Sequence, residues 1–155
     1  MDMINMTELF AAAFAPVEYK KNPFTISSDP AKLDENVIFD YLANESYWWT
    51  GLTQEKLSRY LQFSLCFGVY KGEHQVGFAR LVTDYTTFAY LADVFIVSSY
   101  QGQGLGKWLV ECILQHPELQ SLRKWTLNTR DAHTLYERFG FQNDPMPENY
   151  LVFRP

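Results

Sequence analysis

Nine residues, Ser99-Tyr-Gln-Gly-Gln-Gly-Leu-Gly-Lys107, constrain this chain more than any other segment. An apolar run over 88–97 precedes them and reads as a strand covered on both faces. After them Leu105, Trp108, Leu109, Cys112 and Ile113 recur at i, i+3, i+4, i+7 and i+8, which predicts a helix over 104–115 closed by Pro117. A strand that passes through glycines straight into a helix belongs in an α/β fold. Gly102, Gly104 and Gly106 let the backbone curl until several N–H groups point inward, and the positive end of the helix aims at the same spot. In physical terms this is a pyrophosphate cradle.

Two common phosphate loops do not fit it. A Walker loop requires glycine at the position of Gln101 and Ser or Thr at that of Trp108. The dinucleotide fingerprint, started at Gly102, finds its third glycine one residue early; started at Gly104, it requires glycine where Leu109 stands.

Around this segment the chain reads as one domain of 155 residues and 18.1 kDa. Residues 1–22 are expected to form an extension with an amphipathic helix (Met6, Leu9, Phe10, Ala13, Phe14) closed by Pro16, and the domain proper to span 23–155. Phe24-Thr-Ile-Ser reads as a first strand. Asp34 and Thr53 cap two helices, the first with Val37, Ile38, Tyr41 and Leu42 on one face and the second carrying Leu57, Tyr60 and Leu61. Strands over 66–70 and 76–83 flank Lys71-Gly-Glu73 as a hairpin. A strand over 125–129, a short helix ending at Gly140, and final strands at Phe141 and 150–153 complete the order β-α-α-β-β-β-α-β-α-β-β.

Composition narrows the classes. Hydrophobic residues make up 47% and charged residues 20% of the chain, which excludes wholesale disorder. The net charge of −5 argues against nucleic-acid and anionic-membrane partners. All of the acid excess lies in residues 1–100, with seven basic against twelve acidic side chains, and this favours a cationic acceptor over an acidic one. Cys66 and Cys112 lie in apolar contexts and read as buried reduced thiols; with three scattered histidines they give no metal spacing. The absence of a signal-peptide pattern points to the cytoplasm.

Gln101-x-x-Gly104-x-Gly106, opening a helix after Asp93-Val-Phe-Ile-Val97, resembles the acetyl-CoA-binding motif of the GNAT N-acetyltransferase superfamily. Asp131-Ala-His-Thr-Leu-Tyr-Glu-Arg-Phe-Gly-Phe141 is similar to that family's second signature. The resemblance implies a mixed, mostly antiparallel twisted sheet with helices on both faces and splayed central strands. It implies acetyl-CoA as cosubstrate and no metal.

The same resemblance assigns roles. Phe95, Ile96 and Val97 would offer free backbone groups to the pantetheine arm, and the amides of Gln101, Gly102, Gln103, Gly104, Leu105 and Gly106, with Lys107 nearby, would hold the pyrophosphate. Thr129 stands where the family often places an asparagine toward the pantetheine, a departure from the pattern, and Asn128 is adjacent to it. Tyr136 would protonate the departing sulfur, a role that demands a dry site. Asp93, a carboxylate inside an apolar strand, is the candidate base, unless it forms a structural pair with Arg80.

Acceptor recognition is expected from Tyr47, Trp48, Trp49, Tyr85 and Arg80. The activity expected is transfer of acetyl to a small primary amine by direct attack in a ternary complex, since neither cysteine has an activating neighbour. Acetylation of a protein N-terminus or lysine, and a non-catalytic acyl-CoA-binding module, are the alternatives. A homodimer is compatible with the sequence.

Overall fold

The computed structural model describes residues 14–155. Six strands form: β1 (Glu18–Lys21), β2 (Phe24–Ser27), β3 (Leu65–Lys71), β4 (His74–Thr83), β5 (Phe88–Ile96) and β6 (Lys124–Leu127). They lie in one sheet in chain order, antiparallel from β1 to β5, with β5 and β6 parallel. The helices are α1 (Glu35–Asp40), continued by a π-helical turn over Tyr41–Glu45, α2 (Gln54–Gln62), α3 (Leu105–Leu114) and α4 (His133–Glu137).

Caps set the helix starts. The Asp34 carboxylate accepts the N–H groups of Asn36 and Val37, and Thr53 Oγ1 accepts that of Lys56. Gly104, at φ 79°, stands at the N-cap of α3 with no side chain to cap it.

Two cores lie on opposite faces of the sheet. On one, Leu105, Leu109, Val110 and Ile113 of α3 pack with Ile26, Phe67, Val69, Leu81 and Leu91. On the other, Ile38, Leu42, Leu57 and Leu61 close over Cys66, Phe78 and Phe95. The mixed sheet with helices on both faces is therefore the architecture observed. Because Cys66 and Cys112 belong to different cores, they are buried and unpaired.

Two expectations change. The sheet begins inside the segment read as an extension: Glu18–Lys21 pair with Phe24–Ser27 around a cis Asn22-Pro23 peptide. Phe14 stacks on Tyr85 at 4.4 Å, whereas Met6, Leu9, Phe10 and Ala13 lie outside the described residues. At the other end no strand forms at Phe141 or over 150–153. Leu151 and Phe153 are 92% and 87% exposed, so the alternation there has no face to bury.

His116 is 3% exposed, edge-on to Phe67, and its Nδ1 accepts the Glu118 N–H at 3.2 Å. Burial holds its pKa below the ordinary 6.5, so the folded protein keeps it neutral. Below that pH the unfolded chain binds the extra proton and the folded chain resists it. Stability should therefore fall on acidification through about pH 6.5, by at most about 1.4 kcal/mol per pH unit. His116→Asn keeps a capping oxygen and removes the titration. Denaturant melts of this variant are expected to lose that slope below about pH 6.5; an unchanged slope would place the titrating group elsewhere.

Candidate active site

The site originates in a break of β-ladder regularity. Along β4, Phe78 pairs with Phe95 and Arg80 with Ala92, so Asp93 and Val94 together oppose Ala79. This is a bulge, and Asp93 occupies it at φ 52°, a left-handed conformation that Asp tolerates better than most residues. Bulges turn a strand. Accordingly β5 pairs with β6 only from Phe88↔Lys124 to Leu91↔Leu127, and beyond Leu91 it runs on with no strand neighbour on that side among the described residues.

A cavity of about 650 Å³ fills the opening, lined by Tyr47, Trp48, Trp49, Tyr90, residues 91–94 and Tyr136 among others. A second, of about 590 Å³, lies between β6 and the C-terminal segment; Tyr90, Asn128, Thr129 and Tyr136 border both.

At the far end of β5, Val97 donates its N–H to Val76 O at 2.9 Å. Strand alternation then turns the Ile96 peptide groups toward the opening. The Ile96 carbonyl accepts Gln101 Nε2 at 2.8 Å, and the Gln101 N–H donates to Ser98 O. Gln101 thus holds the loop in place, while the N–H groups of residues 104–107 find no acceptor among the described residues. Leu105, 5% exposed, anchors the first turn of α3 in the core while Lys107 stays in solvent. A Cβ built on Gly102 or Gly104 meets nothing within 4 Å, so both glycines face open space beside these amides. Four unpartnered amides at the N-terminus of a ten-residue helix make a site for an anionic group.

Tyr136 is 8% exposed and lies edge-on to Phe141. Its hydroxyl makes no hydrogen bond to a described residue, and burial, aided by Tyr47 and Asp131, pushes its pKa up to about 12. At neutral pH it is a neutral donor facing the cavity. Asn128 Nδ2 donates to Tyr90 OH at 3.3 Å, and Thr129 Oγ1 accepts the Ala132 N–H at 3.0 Å, fixing the entry to α4.

Asp93 is bound on both oxygens. Oδ1 accepts the indole N–H of Trp48 at 2.9 Å and of Trp49 at 3.0 Å, and Oδ2 pairs with Arg80 Nε at 2.7 Å. Trp48, Trp49 and Arg80 therefore do reach the cavity, as donors to one carboxylate. Tyr85 does not. The Asp84 carboxylate gathers the N–H groups of Thr86, Thr87 and Phe88, and with φ at 60° the Tyr85 ring turns onto Phe14 and the α3 face. The acid excess of the first hundred residues does not reach the cavity either: Arg80, Arg130 and Arg154 face it against Asp93 and Asp131.

Tyr90 and Arg130 line the cavity and are not reached by motif reading. Tyr90 shares a strand face with Ala92, and the step of two along β5 was the available signal. Arg130 precedes the second motif and stacks over Tyr47 at 3.6 Å, a contact with no trace in local sequence. Among the described residues no cluster of His, Cys, Asp and Glu could hold a metal, and no helix is long and apolar enough to cross a membrane.

A splayed sheet with unpartnered amides at a strand–helix turn defines an α/β protein with a built anion site, and comparison with known proteins names its family. Residues 62–143 match the family model of the acetyltransferase (GNAT) domain. A Gibberella zeae protein that bears an acetyltransferase name is 31% identical over 91% of this chain and 88% of its own. A Xanthomonas campestris structure assigned to the GNAT family superposes with a TM-score of 0.82 at 37% identity, covering 85% of this chain and 93% of that one. An Elizabethkingia anophelis GNAT acetyltransferase, crystallised with acetyl-CoA, shares the fold at a TM-score of 0.59 and 21% identity over 84% of this chain and 86% of its own. The chain belongs to the GNAT acetyltransferase family.

The Tyr136 hydroxyl makes no hydrogen bond to a described residue, so its removal takes none from the folded state. Tyr136→Phe is expected to leave unfolding free energy within about 0.5 kcal/mol of the parent, or to raise it, in denaturant titrations. A loss above about 2 kcal/mol would reveal a structural hydrogen bond at this oxygen.

Proposed function

We propose that this protein transfers the acetyl group of acetyl-CoA to the primary amine of a small molecule, by direct attack within a ternary complex. The observation that carries the reading is the placement of Tyr136, a buried tyrosine whose neutral hydroxyl makes no hydrogen bond to a described residue, at the opening that β5 leaves beyond Leu91.

The residues present fit the cosubstrate. The unpartnered amides of residues 104–107 suit a pyrophosphate, with Lys107 adding a positive charge in solvent. The Ile96 N–H on the free side of β5 suits an amide of the pantetheine arm, and Asn128 stands across the opening. When bound, acetyl-CoA supplies an acetyl group activated as a thioester.

In this reading Tyr136 would donate its O–H to the departing sulfur and pass on its proton. Burial that keeps the phenol neutral also strengthens a hydrogen bond to developing negative charge. The cysteines are unsuited to an acyl-enzyme route, because burial pushes Cys66 to about 12 and Cys112 to about 11, leaving neither as thiolate. The amine proton leaves to water in the open cavity, since both Asp93 oxygens are engaged.

Tyr136→Phe should lower kcat by about tenfold to a thousandfold with acetyl-CoA affinity nearly unchanged, measured by thiol release and by calorimetry. Equal turnover would remove Tyr136 from the reaction. Gly104→Val strains the left-handed N-cap by roughly 1–2 kcal/mol, yet its main effect should be a loss of acetyl-CoA affinity of about tenfold or more. Normal affinity in the folded variant would show that the amides hold no phosphate.

A further inference from the structure

We propose that Asp93 is a positioning residue: it fixes the aromatic wall of the acceptor cavity and does not take the amine proton. The inference rests on the acetyltransferase reading above and deepens it.

The wall is the segment between the π-helical turn and α2. Residues 47–50 make no backbone hydrogen bond in the described structure. Their hydrogen bonds are made by side chains: the Trp48 and Trp49 indoles donate to Asp93, and Tyr47 OH accepts the Arg130 N–H at 3.4 Å. Two successive indoles on one oxygen force both rings to turn toward β5, so Asp93 sets which faces they present. The rest of the cluster supports that geometry. Tyr60 stacks on Trp49 at 5.6 Å and 12°, and the Arg80 guanidinium lies over the same Tyr60 ring at 4.4 Å while gripping Asp93 Oδ2. Trp48 meets Tyr47 edge-on at 5.0 Å, which carries the order to the far side of the cavity.

The Asp93 side chain is 3% exposed and Arg80 is 14% exposed, so this pair is largely withdrawn from water. A carboxylate this buried must be matched by donors, and three are in place. Both in-plane positions of Oδ1 are filled, and the one position left on Oδ2 lies beside the guanidinium on a side chain 3% exposed, which leaves an amine little access to it. The bulge at φ 52° delivers the carboxylate to this spot, and Asn tolerates that conformation as well as Asp.

That equivalence supplies the test. Asp93→Asn retains the backbone and loses the grip on Arg80. In the double variant Arg80→Gln/Asp93→Asn, Asn Oδ1 still accepts two indoles and its Nδ2 donates to the glutamine oxygen, a neutral copy of the anchor. Two readouts are taken: hydrogen exchange of the indole N–H resonances in the unliganded protein, and steady-state kinetics with acetyl-CoA and a panel of amines. In Asp93→Asn, the Trp48 and Trp49 indole protons should exchange at least about tenfold faster. The amine KM should rise about tenfold, with acetyl-CoA KM within about twofold and the slope of log kcat/KM against pH unchanged. The double variant should recover slow exchange and most of the lost kcat/KM.

Recovery of indole protection with kcat/KM still at the level of Asp93→Asn would make Asp93 the base and overturn the proposal. So would indoles that stay protected in Asp93→Asn. If that variant does not fold, Trp48→Phe, at a side chain of a residue 40% exposed, serves instead: an unchanged amine KM would refute a role for the wall. A parent protein that acetylates no amine would defeat the transferase reading, while indole exchange would still decide whether Asp93 orders the loop.

Discussion

The parallel pairing of β5 with β6 stops at Leu91, and the site depends on that interruption. Continuous ladders would satisfy every peptide group and close the sheet. The extra residue at Asp93–Val94 bends β5 away instead, opening a cavity beside Tyr136 and leaving β5 without a strand partner on that side among the described residues as far as the Ile96 N–H. The two flanking cores make the departure tolerable: Phe95 stacks on Tyr41 at 3.9 Å on one face, and Ile96 joins the α3 core on the other.

Polar groups near the opening divide into those already matched and those left waiting. Gln101, Thr129, Asp93 and Arg80 have found partners within the protein and hold loops in place. The amides of residues 104–107 and the Tyr136 hydroxyl have found none among the described residues. Groups without a protein partner are the ones a ligand can bind, which is why they identify the chemistry better than the matched ones do. Sequence position alone did not separate the two sets. Gln101 and Gly104 stand in one motif and have opposite fates.

Much of the fold was legible before any coordinates. Asp34 and Thr53 act as caps, the hairpin turns at Gly72, and α3 follows the spacing of Leu105, Leu109, Cys112 and Ile113. The ends were less so. Lys20 and Lys21 do not read as a strand, because an edge strand with one exposed face needs only a pairing partner and not an apolar pattern. The alternation over 150–153 reads as a strand but lacks a partner, so propensity went unused. Tyr85 has the composition of an acceptor wall, yet a left-handed turn set by Asp84 sends it to the other face.

The residues by themselves determined that a strand must turn through glycines into a helix, and hence that amides would lie unpartnered at its start. That outcome is local, fixed by missing Cβ atoms and by the periodicity of α3. Only the tertiary structure decided the fate of Asp93. Its partners lie 13, 44 and 45 positions away in the chain, and their meeting depends on how the loop before α2 folds over a bulged strand. Burial then rewards whichever donors arrive, and no short-range pattern records which those are.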